Sequence, residues 1–101
     1  MIGGTPYYVA PEQITGEGVD PRADIYALGV TLFEMCTGEV PFKQGDVLFH
    51  HRNTPAPDPL ERQPALPRSL AALISAMLEK DPGARPQTAQ EVGNALTAVE
   101  P

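Results

Sequence analysis

An apolar segment without a break, Asp24-Ile-Tyr-Ala-Leu-Gly-Val-Thr-Leu-Phe-Glu-Met-Cys-Thr37, limits what this chain can become. After its first turn only Thr31, Glu34 and Thr37 are clearly polar. No narrow apolar stripe can be drawn, which is the pattern of a helix buried nearly all round. A buried strand would stop at roughly 4–8 residues. The ends are those of a helix: Asp20-Pro21 offers a cap and a first-turn proline, and Gly38 offers a stop. The spacing predicts a central helix over 21–38, and a helix that needs cover on every side needs surroundings.

At 101 residues with 42% apolar content, the chain suits one small domain with a core of ordinary density. Thirteen acidic against seven basic side chains give a formal charge of -6, and the bases are scattered. That pattern argues against nucleic acid or an anionic membrane as partner. Cys36 stands alone inside the apolar helix and reads as a small buried hydrophobe, so no disulfide framework is available and an intracellular, cytoplasmic setting fits. No apolar run reaches the roughly 18 residues of a membrane span. The twelve prolines and nine glycines fall between periodic segments, punctuating a fold rather than marking disorder.

Residues 1–20 carry no amphipathic period and read as a shaped loop. Pro11 can open a short helical turn with Glu12 near its positive end. An aromatic loop with Tyr7, Tyr8 and one carboxylate can dock a peptide or simply pack on the long helix. Further on, Val47, Leu48 and His51 fall at helical spacing within a short helix over 44–53. His50 and His51 diverge by about 100° on a helix and cannot share a metal, and no third ligand is in view. Pro55, Pro57, Pro59, Pro64 and Pro67 make the next stretch an extended linker. Leu70, Leu73, Ile74, Met77 and Leu78 then give one core face to a helix over 68–81, ended by Pro82. Thr88-Ala-Gln-Glu91 is a capping box for a last helix over 88–99 lined by Val92, Leu96 and Val99. The class is all-α, a long loop followed by about four helices.

Four motifs stand in order along the chain: Gly4-Thr-Pro-Tyr-Tyr-Val-Ala-Pro-Glu12, Asp24-Ile-Tyr-Ala-Leu-Gly29, Gly38-Glu-Val-Pro-Phe42, and Leu78-Glu-Lys-Asp-Pro82 with Arg85-Pro86. Ala10-Pro11-Glu12 alone is weak, being three common residues. Together the motifs resemble the C-terminal part of a serine/threonine protein kinase domain, bacterial or eukaryotic, from the end of the activation segment to the last helix. The resemblance covers essentially the whole chain. It implies part of the helical large lobe, with residues 1–20 as activation-segment end and docking loop.

The resemblance also implies roles. The threonine matching Thr5 hydrogen-bonds the catalytic aspartate and lysine, and residues matching Pro6, Tyr8 and Val9 shape the pocket for the substrate residue after the phospho-acceptor. Glu34 joins this docking set. These residues position rather than transfer protons. The carboxylate matching Glu12 pairs with the arginine matching Arg85, whose planar fork suits a bidentate bond. The aspartate matching Asp24 receives backbone N–H groups of the catalytic loop. Met35 suits one of two positions that carry an internal apolar stack, and Thr31 is polar where an apolar residue is usual.

The sequence has no Gly-x-Gly-x-x-Gly loop, Val-Ala-x-Lys strand, His-Arg-Asp loop or Asp-Phe-Gly metal ligand. The expectation is therefore a chain that binds no ATP or Mg by itself and transfers no phosphoryl group, cofactors that belong to a full-length kinase. Met1 just before the Gly-Thr-Pro motif reads as a truncated gene, a wrongly assigned start or an interrupted frame. The expected partner is a protein substrate or a segment of a partner kinase. The competing readings are a freestanding, non-catalytic interaction module and an inert remnant with bare helix faces.

Overall fold

The computed structural model describes residues 6–16, 18 and 20–99, and among them the regular structure is entirely helical. A 3-10 turn at Pro6–Tyr8 leads into α1 (Pro11–Thr15). α2 (Arg22–Thr37) is the longest element, followed by α3 (Val47–Asn53), α4 (Pro59–Arg62) and α5 (Arg68–Met77). A second 3-10 turn, Pro82–Ala84, precedes α6 (Ala89–Thr97).

Each boundary has a chemical cause. Asp20 accepts the Arg22 N–H at 2.8 Å, so the expected cap acts two residues ahead of α2. Gly38 ends α2 in a left-handed conformation, φ 89°, a conformation that costs glycine nothing. Asp46 caps α3 by accepting from Phe49 N–H. Thr88 caps α6 by accepting from Glu91 N–H, but the Glu91 carboxylate takes the Gln87 N–H instead of closing the box on Thr88.

The stretch read as an extended linker contains α4. Asp58 accepts the Leu60 N–H at 2.9 Å, and Pro59 occupies the first helical position, where its missing N–H costs nothing. Pro59 is buried, and Arg62 reaches from α4 to donate to the Val40 carbonyl.

α2 is the hub. The 3-10 turn at Pro6–Tyr8, α4 and α5 all pack on it, while α6 packs on α5. One buried cluster joins Ala10, Ala23, Tyr26, Val30, Phe33, Val40, Ile74 and Leu78; a second joins Ile25, Leu73, Met77 and Val92. α2 and α5 approach closely at Gly29, where an added Cβ would lie 2.8 Å from the Met77 Cβ. The Cα radius of gyration, 13.0 Å, is that of a folded domain of this length.

The central helix is not covered on every side. Met35 is 75% exposed, Leu28 39%, and Asp24 lies at the surface. The packing elements occupy one side of α2 and leave these three on another. Leu48 of α3 and Leu96 of α6 are also exposed, so Val47 and His51 carry the buried face of α3 and Val92 that of α6.

Candidate docking site

Thr5 lies outside the described residues. Pro6, Tyr8 and Val9 form one short loop, turned by a 3.5 Å bond from the Val9 N–H to the Pro6 carbonyl. The Tyr8 hydroxyl donates to the Glu34 carboxylate across 26 positions of sequence, joining the loop to the last turns of α2. That bond, then burial and the Glu34 charge, raise the Tyr8 phenol above its ordinary value.

The other end of the loop is fixed by an ion pair. Ala10 donates its N–H to the Gln13 side chain at 2.8 Å, which opens α1 and sets Glu12 in its first turn. Arg85 Nη1 and Nη2 donate to Glu12 Oε2 and Oε1 at 2.7 and 2.8 Å. Both side chains are buried. Arg85 also donates to the carbonyls of Arg22, Glu79 and Lys80, so each of its five N–H groups has an acceptor. Burial is the largest influence and by itself would push the Glu12 carboxyl up, but the Arg85 hydrogen bonds, a backbone N–H and the Arg85 charge together outweigh it and hold the group below its ordinary value.

Beneath this pair lies a second polar layer. The Arg85 guanidinium sits 5.0 Å above the ring of Tyr26, and the Tyr26 hydroxyl is 2.6 Å from Nδ1 of His51 on α3. Burial raises the Tyr26 phenol and lowers the His51 imidazole to about 4, the Lys80 charge adding to the latter. Lys80 donates to the His50 carbonyl at 3.0 Å and stands 4.8 Å over the Phe42 ring; burial lowers its ammonium to about 8. Neither Tyr26 nor the buried role of His51 stood out in the sequence. The only hint was that His51 falls in register with Val47 at i, i+4.

Asp24 stands apart from these groups. It rims a shallow cleft with Pro21, Ile25, Leu28, Gln87, Thr88 and Ala89. The structure thus brings Tyr8 to Glu34 and Glu12 to Arg85, and leaves Asp24 solvent-facing. Met35 and Thr31, the positions that the resemblance assigns to an internal stack, differ: Met35 projects outward, and the Thr31 hydroxyl donates to the Ala27 carbonyl.

The sequence profile of the protein kinase domain matches residues 1–95. The chain belongs to the protein kinase domain family. The chain is 43% identical over 88 residues, 84% of its length, to the DNA damage-responsive serine/threonine-protein kinase RqkA of Deinococcus radiodurans. It is 39% identical over 96% of its length to serine/threonine-protein kinase A of a Synechocystis species, and 42% identical over 98% to serine/threonine-protein kinase pkn2 of Myxococcus xanthus. The alignments cover 13%, 19% and 12% of those three relatives. No described helix of the chain is long and apolar enough to cross a membrane.

Proposed function

We propose that this chain serves as the docking and scaffolding part of the helical lobe of a cytoplasmic serine/threonine protein kinase. It presents a protein segment to a phosphoryl-transfer centre that these residues do not form. What supports the reading is that one loop is held at both ends, by Tyr8 to Glu34 and by Glu12 to Arg85. A loop pinned in this way is pre-organised for an extended peptide, because the ordering cost is met within the fold before binding. Pro6, Tyr8, Val9 and Glu34 line the docking surface, Thr5 belongs to the same motif, and Glu12 with Arg85 is the clamp. Asp24 would tie the lobe to a catalytic loop. The catalytic base, the ATP site and the Mg ligands of phosphoryl transfer have no counterpart in these 101 residues.

Two titrations of the pure chain test this. Labelled Ser- and Thr-containing peptides should bind saturably and lose affinity on Glu34→Ala, while Mg-ATP should give neither binding heat nor phosphate transfer. Transfer by the pure chain would overturn the reading, as would peptide binding indifferent to Glu34. A second reading, an inert remnant, is favoured by the exposed Met35 and Leu28. Strong binding of a hydrophobic dye and aggregation in solution would support it.

A further inference from the structure

The chain has two lysines, and they are held differently. Lys43 meets the Glu39 carboxylate, whereas no carboxylate of the described residues forms an ion pair with Lys80. The half-buried Lys80 ammonium donates instead to the His50 carbonyl at 3.0 Å and lies 4.8 Å over the Phe42 ring, which stacks on the His50 ring at 5.6 Å. The same His50 carbonyl takes the Thr54 N–H at 3.0 Å, so Lys80 reaches the bond that closes the last turn of α3. A cation there complements the negative end of the helix. An apolar stem would cover Phe42 equally well without bringing a charge out of water.

α3 is the element that backs the docking loop. It has seven residues, too few to hold a helical form unaided, and it buries only Val47 and His51. It packs against α1 and against the Pro6–Tyr8 turn. The segment that sends Lys80 to α3 also sends Arg85 to Glu12 of α1, and Arg85 donates to the Lys80 carbonyl at 3.2 Å. Residues 79–85 therefore reach the loop twice, directly through Arg85 and indirectly through α3. We propose that Lys80 is a positioning residue for the docking loop, its ammonium pinning the C-terminal turn of α3 so that α3 backs the loop in one fixed place. The consequence for peptide binding rests on the docking function proposed above; the brace does not.

The groups around the ammonium come from each neighbouring element. Arg85 and Glu79 stand beside it on its own segment, and His50 and His51 face it from α3. Arg52 and Glu12 share a cleft with Lys80, and Glu12 is already held by Arg85. Burial and the Arg85 charge outweigh Glu79 and lower the ammonium to about 8.

Amide hydrogen exchange of the 101-residue chain tests the brace. Lys80→Met keeps the stem over Phe42 and removes the charge and the donors. Lys80→Arg keeps both, since a guanidinium can lie over a ring and donate to a carbonyl. The amides to follow are Thr54, which donates to His50, and Gln13 and Gly16, which donate to the Ala10 and Glu12 carbonyls around α1. The Met variant should speed their exchange by about tenfold or more while Ala71 of α5 and Val92 of α6 stay within about twofold, and the Arg variant should restore most of the protection. An unchanged Thr54, a faster Thr54 beside an untouched α1, an equal rise in all amides, or an Arg variant as fast as the Met variant would each overturn the proposal. Should the variants not fold, the unsubstituted chain decides. As pH rises from 7 to 10, the His50 carbonyl-carbon and Gly16 amide-nitrogen signals should follow the Lys80 Cε signal through its midpoint near 8, and signals that ignore it would sink the idea. Faster α1 exchange with labelled-peptide affinity unchanged would support the brace and refute the docking function instead.

Discussion

Arg85 grips Glu12 with both ends of its fork, although 73 positions of sequence separate them. Removing either partner leaves the other charge buried and unpaired, at a cost of about 3–5 kcal/mol. Arg85→Ala and Glu12→Ala should each lower the urea midpoint accordingly, and the double variant should cost much less than the sum. Arg85→Lys should not rescue, since one ammonium cannot serve five acceptor positions. Strict additivity in the double-mutant cycle would show that the pair is not coupled.

Stability should fall as the solution is acidified from pH 7. His51 is held near 4 against an ordinary value of 6.5. Between those values the unfolded chain binds more protons than the folded one, so stability is full above 6.5 and declines toward 4. Allowing for solvent screening, the loss is on the order of 2 kcal/mol. Glu12, held low, adds a further loss as pH drops through its folded value. Thermal melts of His51→Gln should show a flatter slope between pH 6.5 and 4.

Gly29→Ala should destabilise the chain despite alanine's helix propensity. The gain of up to about 1 kcal/mol opposes a Cβ placed 2.8 Å from the Met77 Cβ and 3.2 Å from a Leu78 methyl. The first contact is next to backbone and cannot swing aside, and overpacking costs about 1–3 kcal/mol. A higher midpoint in Gly29→Ala would mean that α2 and α5 separate easily.

Two residues of the same helix should respond in opposite ways. Phe33→Ala removes a fully buried ring and should cost about 3–5 kcal/mol. Met35→Gln alters a side chain that is 75% exposed and should stay within about 0.5 kcal/mol. A large Met35 effect would mean that this face is covered in solution.

Tyr8 should ionise at higher pH than a free tyrosine, because ionisation breaks its bond to Glu34 and adds a second negative charge beside it. Glu34→Gln should bring the alkaline titration of Tyr8 back toward the ordinary value. No movement would place the two groups apart in solution.

The parts of this architecture that were legible in sequence are those with local causes. Gly38 stops α2, Thr88 starts α6, and Leu73, Ile74 and Met77 mark a buried face, each through its nearest neighbours in sequence. α4 was obscured by proline density, although Asp58-Pro59 is a cap followed by a first-position proline and carried the signal. The exposure of Met35 could not be read from the helix itself, because an apolar pattern says that cover is needed and not which neighbours supply it. The Tyr26–His51 bond is likewise a product of packing, linking two positions whose local patterns predict only helix.

The Glu12–Arg85 contact also sets an order in time. At about 5–20 residues per second of synthesis, Glu12 exists for roughly 4–15 s before Arg85 has been added. Through that interval the acid has no partner and no reason to leave water. The loop that ends at Glu12 therefore receives its clamp only from a residue made 73 positions later, and a nascent chain halted before Arg85 would carry every residue of the described loop without the contact that fixes its Glu12 end.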